Sequence, residues 1–583
     1  MTTSFNRLRF FVAAALLLLA AQRPSLAGSA TWNQNPATGD WNTATNWTPQ
    51  TVPNSTADIA TFDASNVTSL MVSFGSVINL DSAVFNSGAP AYTITLDVSN
   101  LILNGAGFVN NSRFVQSVII PEQDGLVGGL ILFNNASAGV MTTYSGGFFD
   151  FEDFSSAGSA TFDVSSDSLQ ASMYFRDSST AGDAIVNASD FSVVTFYDSA
   201  TGGNATLNLS SAAFASFASS NNAEHMTGNC IGGDQVFNSQ IDFEGFSSAG
   251  EGTFTTIGGS TSGEQGAFIL FDNNATADNA TFTINGAMGA GLTTTELFFT
   301  DTTTAAKANI TANGGMDGSE GGVIFFQKTS RGGTCSITLN GNAELDISTH
   351  RAPGVTIGSL TGEGLVLLGP NTLTIGSNNQ STAFSGLIQG DGGVTKTGTG
   401  RLTLTGANTY TGNTAVSGGV LQPNNRTGSA TGTGAVDVST GTLAGKGVVS
   451  GAVTIGTGSG SGAVLAPSFA AKQPGTLTCK NTVTFKADST YNCQLNTRKA
   501  RADQVSAKGI TIETGAQFSL VVVGNKRLAL GTVFTVANNT SPTPISGTFS
   551  NLPDGSILTL GRSKLAVSYA GGDGNDLTLT VIH

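Results

Sequence analysis

The sequence contains few charged residues and few residues suited to catalysis. Asp, Glu, Lys and Arg make up 11% of its 583 residues, against about a quarter in ordinary globular proteins. Its three histidines, His225, His350 and His583, lie far apart and show neither HExxH nor His-x-His spacing. The sequence therefore predicts no histidine metal centre, and we expect each of these side chains at the surface or at the terminus.

Long apolar runs are also missing, with one exception at the amino terminus. Arg7 and Arg9 precede an apolar run over residues 10–21, and Ser25-Leu26-Ala27 places small residues where a signal peptidase cleaves. We predict a secretory signal peptide over residues 1–27, because this run is too short to span a membrane. Cleavage removes three arginines and no acids, so the net charge falls from −15 to −18. A charge of this sign disfavours nucleic acid and anionic lipid as partners.

Helical patterns are the third absence. No window after the predicted signal sustains a 3.6-residue apolar period, whereas apolar and polar residues alternate in short runs such as 402–405 and 577–580. Gly, Asn and Asp bound these runs, as expected for short strands joined by tight turns. The 36 phenylalanines provide enough apolar surface for a core and argue against disorder. The predicted fold class is all-β.

A repeat becomes visible when the chain is aligned on phenylalanine. Nine blocks begin with Phe, and a small or medium-sized residue follows nine positions later, whereas the blocks themselves are 18 to 28 residues apart. The constant inner spacing predicts a strand–turn–strand corner, and the variable spacing predicts loops of different length. We therefore predict a β-solenoid of parallel strands roughly 4.8 Å apart, with the rings stacked in an internal ladder. The nine residues are Phe133, Phe151, Phe175, Phe196, Phe217, Phe243, Phe271, Phe299 and Phe326.

Polar residues two positions after the ladder phenylalanines are expected to form the corner turns, because their side-chain oxygens can bond the local backbone. They are Asn135, Asp153, Asp177, Asp198, Asn273 and Asp301. An alternative interpretation is a row of Ca²⁺ ligands at Asp153, Asp177 and Asp198, since Ca²⁺ takes several oxygen ligands. The column is interrupted at Ser219, Gly245 and Lys328, which favours the turn.

One segment in the last third of the chain has a distinctive order of turns and strands. Residues 392–421 read GGVTKTGTGRLTLTGANTYTGNTAVSGGVL. The segment resembles the autotransporter-associated β-strand repeat of bacterial passenger domains. The matching residues are Lys396, Gly398, Gly400, Leu402, Leu404, Gly406, Asn408, Tyr410, Gly412, Gly419 and Leu421. The resemblance implies a right-handed parallel β-helix that is secreted or displayed at the surface of a Gram-negative-type bacterium, often in adhesion or as a stalk, with structural roles for the repeat residues.

The resemblance extends to the ends of the chain. Trp32, Trp41 and Trp47 resemble the Trp-rich amino-terminal segment of related surface proteins. The expected organisation is a signal peptide (1–27), a Trp-rich cap (28–70), Phe-rich coils (71–389), and the repeat with the carboxyl-terminal coils (390–583). Autotransporters carry a carboxyl-terminal membrane barrel, but no block of about 10-residue lipid-facing strands precedes His583. We therefore expect a passenger-like chain without this barrel.

Asp573 and Asp576 lie in a GGDGND segment similar to the Ca²⁺-binding nonapeptide of β-rolls. Such sites need tandem copies, so a tight turn is the main interpretation and a Ca²⁺ site the alternative.

If the chain is exported, its four cysteines are in an oxidising compartment, where disulfides can form. Cys479 and Cys493 are close enough in sequence for a disulfide that braces a single coil, although free thiols are the favoured interpretation. Cys230 and Cys335 belong to Phe blocks four coils apart, and stacking would separate them by roughly 19 Å. That distance exceeds the limit of about 7 Å between the Cα atoms of a disulfide, so we predict that these two are not paired.

The main functional hypothesis is an exported, non-catalytic β-helical protein that acts as an adhesin or extracellular scaffold, needs no cofactor and contacts a glycan or a surface protein. The alternative is a β-helix that binds or degrades polysaccharide. Acids are sparse, and pairs such as Glu152 and Asp153 would serve in catalysis only if folding brought them to one site. The three tryptophans are expected to cover the open end of the solenoid, and a sugar-stacking surface is the alternative.

Overall fold

The structure, a computed structural model, describes residues 28–123, 125–165, 170–233, 237–258, 265–289, 293–460, 462–469, 473–561 and 563–583. The predicted signal peptide lies outside these ranges. Within them, helical structure is limited to one 3₁₀ turn, Ala44–Asn46, and nearly all other regular structure is β. Strands from successive coils pair in parallel along the chain. The chain is therefore an all-β parallel solenoid, as the sequence predicts.

The first sheet forms one side of the solenoid from the amino terminus to Gln389. Each strand presents alternate residues to the interior, and four-residue strands dominate because corners bound them on both sides. Within the described residues its strands are Ala30–Trp32, Trp47–Thr48, Ile59–Phe62, Val77–Phe85, Asn100–Asn110, Gly129–Leu132, Phe148–Phe151, Ser172–Phe175, Val193–Phe196, Phe214–Phe217, Gln240–Phe243, Phe268–Phe271, Glu296–Phe299, Val323–Phe326, Glu344–Asp346, Leu365–Leu367 and Leu387–Gln389.

The second sheet forms the opposite side of the interior. From Gly354 onward its strands form two adjacent ladders. The long strands Thr414–Pro423 and Val436–Ala444 pair in both ladders and so join them. Its described strands are Ser69–Val72, Thr93–Leu96, Gln116–Ile120, Val140–Gly146, Ser159–Val164, Ile185–Ala188, Thr206–Leu209, Thr227–Ile231, Thr253–Ile257, Thr281–Ile284, Asn309–Ala312, Ser336–Leu339, Gly354–Ile357, Ser359–Gly362, Thr372–Ile375, Thr382–Phe384, Val394–Lys396, Arg401–Leu404, Thr414–Pro423, Val436–Ala444, Val453–Ile455, Ala463–Ala466, Val483–Phe485, Ser489–Asn496, Arg501–Ala502, Ile510–Ile512 and Gln517–Val523.

A third sheet closes the carboxyl-terminal part. Its last strands pair antiparallel, in contrast to the coils before them. The described strands are Val448–Val449, Thr476–Cys479, Gln504–Ala507, Val533–Asn539, Ile557–Leu560, Ser563–Gly571 and Asp576–Val581. A short separate hairpin pairs Glu122–Gln123 with Leu126–Val127.

The corner that follows each first-sheet strand explains its Asp and Asn residues. Asp153, Asp177 and Asp198 all have φ between 54° and 56°, in the left-handed region that Asn, Asp and Gly tolerate better than other residues. The Asp177 carboxylate accepts the backbone N–H of Asp153, one coil earlier, at 3.1 Å. Beyond the corner, single residues of successive coils bridge in parallel from Ser137 to Arg331. The acids therefore form turns and tie adjacent coils together.

Phenylalanine rings stack along the interior of the first sheet. From Phe151 to Phe326, successive ring centroids are 4.4 to 4.9 Å apart and their planes lie within 17° of parallel. All eight rings are buried. This spacing is that of paired strands, because each ring occupies the same position in its coil. We call this column the Phe ladder.

The structure contradicts the assignment of Phe133 to this ladder. Leu132, not Phe133, pairs with Phe151 and points inward, and Phe133 is only half-buried. Asn134 is correspondingly the corner residue with positive φ, in place of Asn135. A register shift between Val140 and Thr143 adds a residue to this coil. Because of this extra residue, Thr142 still lies nine positions after Phe133. The sequence spacing alone therefore does not reveal that Leu132, and not Phe133, is the inward residue.

Three tryptophans close the amino-terminal end of the core. Trp32, Trp41 and Trp47 are at most 1% exposed. Trp47 meets the other two rings edge-on, with ring centroids 5.0 Å away in both cases, and lies 5.9 Å from Phe62. The strand Trp47–Thr48 pairs antiparallel with Ala30–Trp32. Rings buried in this way are not available to stack on a sugar, which removes the alternative interpretation of these residues.

The structure also contradicts the candidate disulfide between Cys479 and Cys493. Cys479 and Cys493 are free and buried, as are Cys230 and Cys335. Cys479 ends a strand of the third sheet, whereas Cys493 lies within a strand of the second. Proximity in sequence therefore does not place the two sulfur atoms together. Burial raises the pKa of all four thiols, which keeps them protonated and unreactive.

Candidate interaction surface

The repeat residues lie in the interior or at close contacts between coils. Leu402, Leu404 and Leu421 point into the core. A Cβ atom at Gly406 would collide with the carbonyl oxygen of Gly386 in the preceding coil, so only glycine fits there. At a corner, Gly398 has φ +66°. These residues determine how closely the coils stack.

Two polar residues of the repeat form buried hydrogen bonds, and those of Asn408 reach the adjacent coils. Asn408 is buried, its Oδ1 accepts the Ile388 N–H at 2.8 Å and its Nδ2 donates to the Ala430 carbonyl at 2.6 Å. The Tyr410 hydroxyl bonds Thr414 Oγ1 at 2.6 Å. Each bond satisfies a polar group that would be costly to bury alone.

Lys396 is the charged residue of the repeat, and its side chain is buried. Its Nζ donates to the Thr397 carbonyl and approaches the carbonyl oxygens of Gly398 at 3.4 Å and Gly418 at 3.5 Å. Burial lowers the pKa of Lys396 to about 8. The ammonium group therefore binds backbone oxygens at a corner and is not offered to a ligand.

The GGDGND segment forms the turn between the last two strands. Gly571 pairs with Asp576 at the base of this hairpin. The buried Asp576 Oδ1 accepts the Asn539 N–H at 2.9 Å, and burial raises the pKa of this carboxyl. Within the described residues, no group of three or more His, Cys, Asp or Glu side chains is placed to hold a metal ion.

The outer face of the first sheet is unusual because aromatic side chains occupy positions that point away from the core. Phe298 and Phe325 stack with their ring centroids 4.7 Å apart, and Phe268 meets Phe298 edge-on at 6.1 Å. All three are half-buried. We call the outer side of the strands from Phe148 to Phe326 the aromatic face.

Arg176 organises the amino-terminal part of the aromatic face. Its guanidinium carbon lies 4.8 Å from the ring centroid of Tyr174 and 5.2 Å from that of Tyr197, within the range of cation–π attraction. Its Nε donates to Asp150 Oδ1 at 2.9 Å. Burial raises the pKa of Asp150, although Arg176 opposes this shift. The face therefore combines aromatic rings with an ordered ion pair.

The outer face of the second sheet is polar, and several of its side chains bond one another. Nδ2 of Asn208 donates to Asn187 Oδ1 at 2.9 Å, and Nδ2 of Asn229 donates to Asn208 Oδ1 at 2.8 Å. Further along, Thr338 and Thr361 share a hydrogen bond of 2.8 Å. These amides and hydroxyls form hydrogen bonds with one another between successive coils. The aromatic face, by contrast, leaves apolar surface in contact with solvent.

Sequence reasoning missed the aromatic face because it followed only the inward residues. The signal is nevertheless present. In the strands Glu296–Phe299 and Val323–Phe326, the residue before each ladder phenylalanine is also phenylalanine. A second aromatic one position away must point outward, since successive side chains alternate.

In the described part of the chain, no helix is long and apolar enough to cross a membrane.

The fold and the buried polar bonds define a parallel β-solenoid with an internal repeat. Residues 394–422 match the family model of the passenger-associated-transport-repeat, so the chain contains this repeat where the sequence resemblance places it.

A curated relative, the adhesin BmaC autotransporter of Brucella suis biovar 1 (strain 1330), is 39% identical over 94 residues. That alignment covers 15% of this chain and 3% of the relative's length. Among solved structures, the Haemophilus influenzae Hap adhesin aligns over 90% of this chain and 63% of that chain, with 11% identity and a TM-score of 0.29.

Proposed function

We propose that this chain is an exported, surface-exposed, passenger-like protein in which a non-catalytic solenoid presents the aromatic face for adhesion. The passenger-associated-transport-repeat and the similarity to part of an autotransporter adhesin support the surface location. The observation that carries the adhesive role is the stacked outward pair Phe298 and Phe325. Adjacent apolar rings that remain partly in contact with solvent on an outer face can contribute to an interaction site.

The partner class proposed for this face is a glycan or a protein on another surface. Aromatic rings pack against the apolar faces of sugars and against apolar side chains. Half-buried acids border the rings, and burial raises the pKa of Glu296 and of Glu344. These acids supply hydrogen-bond acceptors beside the rings.

The location is tested by protease treatment of intact cells that produce the full chain. We expect digestion of the chain while a periplasmic marker survives. Protection of the chain on intact cells, with digestion after lysis, would rule out surface exposure.

The adhesive role is tested with the purified full chain on glycan arrays and immobilised matrix proteins. We expect binding to at least one probe, and a loss of tenfold or more in the double variant Phe298→Ser/Phe325→Ser. The matched control is Phe154→Ser/Phe246→Ser, which removes two phenylalanines that are 68% and 71% exposed at corners outside the face. Equal loss in both variants, or no binding by the native chain, contradicts the proposal.

The non-catalytic character is tested by incubating the chain with acidic polysaccharides and measuring new reducing ends. We expect no release above a heat-denatured control. Release that depends on a carboxylate such as Glu152 would instead support the polysaccharide-degrading alternative.

A further inference from the structure

The charge of the chain is unevenly distributed along the solenoid. Residues 28–479 contain 33 Asp and Glu but only 11 Lys and Arg, whereas residues 480–583 contain 10 Lys and Arg and 6 Asp and Glu. The body of the rod is therefore strongly acidic, and its carboxyl-terminal end carries a net positive charge. A polyanion in solution is repelled by the body and attracted to this end.

A cleft of about 700 Å³ lies at this basic end. One wall is the loop that follows the strand Gln517–Val523, and the other is the tip of the hairpin formed by Ile557–Leu560 and Ser563–Gly571. Its lining includes Thr497, Asn525, Lys526, Arg527, Thr559 and Ser563. A second cavity of about 360 Å³ shares Arg527 and Thr559 with the cleft and adds Lys564. The volume is within the range of ordinary ligand sites.

The cations of this cleft have no acidic partner among the residues that the structure describes. No Asp or Glu side chain is among the described residues that line the two cavities. Lys526, Arg527 and Lys564 form no ion pair with a described residue. All three side chains are exposed. Three cations without an ion-pair partner among the described residues therefore line two adjoining cavities.

The backbone of both walls is held in place. The Lys526 N–H donates to Thr497 Oγ1 at 3.1 Å, which ties the loop to the buried Thr497. The Lys564 N–H donates to the His583 carbonyl at 2.8 Å. The backbone positions from which the two cations extend are thus set before any ligand arrives, which lowers part of the entropic cost of binding.

We propose that this cleft binds an anionic polysaccharide. Lys and Arg recognise carboxylate, sulfate or phosphate groups through charge-assisted hydrogen bonds. Asn525, Thr559 and Ser563 supply the donors and acceptors that sugar hydroxyls need, and Val522 and Leu560 supply apolar contact for the C–H faces of the ring. The site is independent of the aromatic face, which lies on earlier coils.

The test uses the purified full chain and three probes. They are dextran sulfate, polygalacturonate and neutral dextran, so that sulfated and carboxylated polymers are distinguished from each other and from an uncharged polysaccharide. We expect dextran sulfate or polygalacturonate to bind, with an affinity that falls as salt is added, and dextran not to bind. Equal binding of dextran, or no binding of either anionic probe, would overturn the proposal.

A pair of double variants separates the cleft from the general positive charge. Lys526→Gln/Arg527→Gln should weaken polyanion binding at least tenfold. The control, Lys480→Gln/Lys508→Gln, removes two exposed lysines of the same basic region that do not line the cleft, and should change the affinity less than threefold. Equal weakening in both would show that the charged end as a whole, and not the cleft, attracts the ligand.

Hydrogen exchange locates the bound probe without a substitution. Residues 524–527 and 559–564 should gain protection when the anionic probe is added, while the aromatic face should not change. Protection confined to other coils would contradict the assignment.

Discussion

The Phe-rich coils and the repeat region stack their coils by different means. Between Phe151 and Phe326 the register depends on large rings that fill the interior, and the loops between them vary in length. In the repeat, the register depends on close backbone contacts at Gly406 and on buried polar bonds from Lys396 and Asn408. The first arrangement needs only one ring per coil, whereas the second needs several residues at fixed spacing. This difference explains why the repeat has a sequence pattern that a family model recognises.

The largest expected effect comes from interrupting the Phe ladder. Phe217→Ala removes a ring that stacks 4.4 Å from Phe196 and 4.8 Å from Phe243, and should cost about 3–5 kcal/mol of local stability. Hydrogen exchange of the strands Val193–Phe196 and Gln240–Phe243 measures this loss. Leu402→Ala, in the repeat, should cost less because no ring stacks on it. A larger loss in Leu402→Ala would reverse the comparison.

The next effect concerns a buried acid on the aromatic face. Burial raises the pKa of Asp242 to about 7, and Glu244 and Asp272 add to the shift, while the Gln240 amide opposes it. The native state therefore holds a proton that the unfolded chain loses above about pH 4, so stability falls as the pH rises from 4 to 7.

Asp242→Asn should remove this penalty, worth up to about 4 kcal/mol at pH 8. At about pH 2.5 the variant should match the native chain, because the carboxyl is then protonated in both states. Denaturant unfolding at the two pH values provides the measurement, and equal stability at pH 8 would count against a raised pKa for this buried carboxyl.

The repeat region should show the opposite pH dependence. The pKa of Lys396 is lowered by burial to about 8, so the native state holds fewer protons than the unfolded chain above that pH. The contribution of this group to the free energy of unfolding therefore rises as the pH increases from about 8 toward the ordinary pKa of a lysine side chain.

Lys396→Met tests the same group at neutral pH. It should cost about 1–3 kcal/mol, because the carbonyl oxygens of Thr397, Gly398 and Gly418 lose their donor. Exchange rates in Val394–Lys396 and Thr414–Pro423 report the change. A Met variant as stable as the native chain would mean that water replaces the ammonium group.

The smallest expected effect is on the outer side. Arg176→Gln removes a partly exposed cation from Tyr174, Tyr197 and Asp150, and should cost no more than about 1 kcal/mol. Thermal unfolding of the full chain is sufficient to check this value. A cost above about 2 kcal/mol would make the aromatic face a structural element and weaken its proposed role in adhesion.

Much of the fold can be predicted from the sequence because one constraint repeats in every coil. The spacing from ladder ring to small residue predicts the parallel coils, and it fails at Phe133 because a local register shift compensates for a one-residue error. The sequence alone leaves open whether Cys479 and Cys493 are bridged, since this depends on which sheet each strand joins. The basic cleft was missed for a similar reason. Arg527 and Lys564 are distant in sequence, and only the hairpin brings them together.

The reversed strand directions at the two ends have a consequence for assembly. The last strand of a parallel sheet leaves backbone N–H and C=O groups unpaired. These groups could pair with an identical molecule, and repeated pairing would produce a fibre. Here Trp47–Thr48 runs against its neighbour at one end, and the hairpins around Asp576–Val581 do the same at the other. The first sheet at one end and the third sheet at the other therefore lack the parallel edge that a second rod would need to extend them. We expect these two sheets not to continue from one molecule into the next.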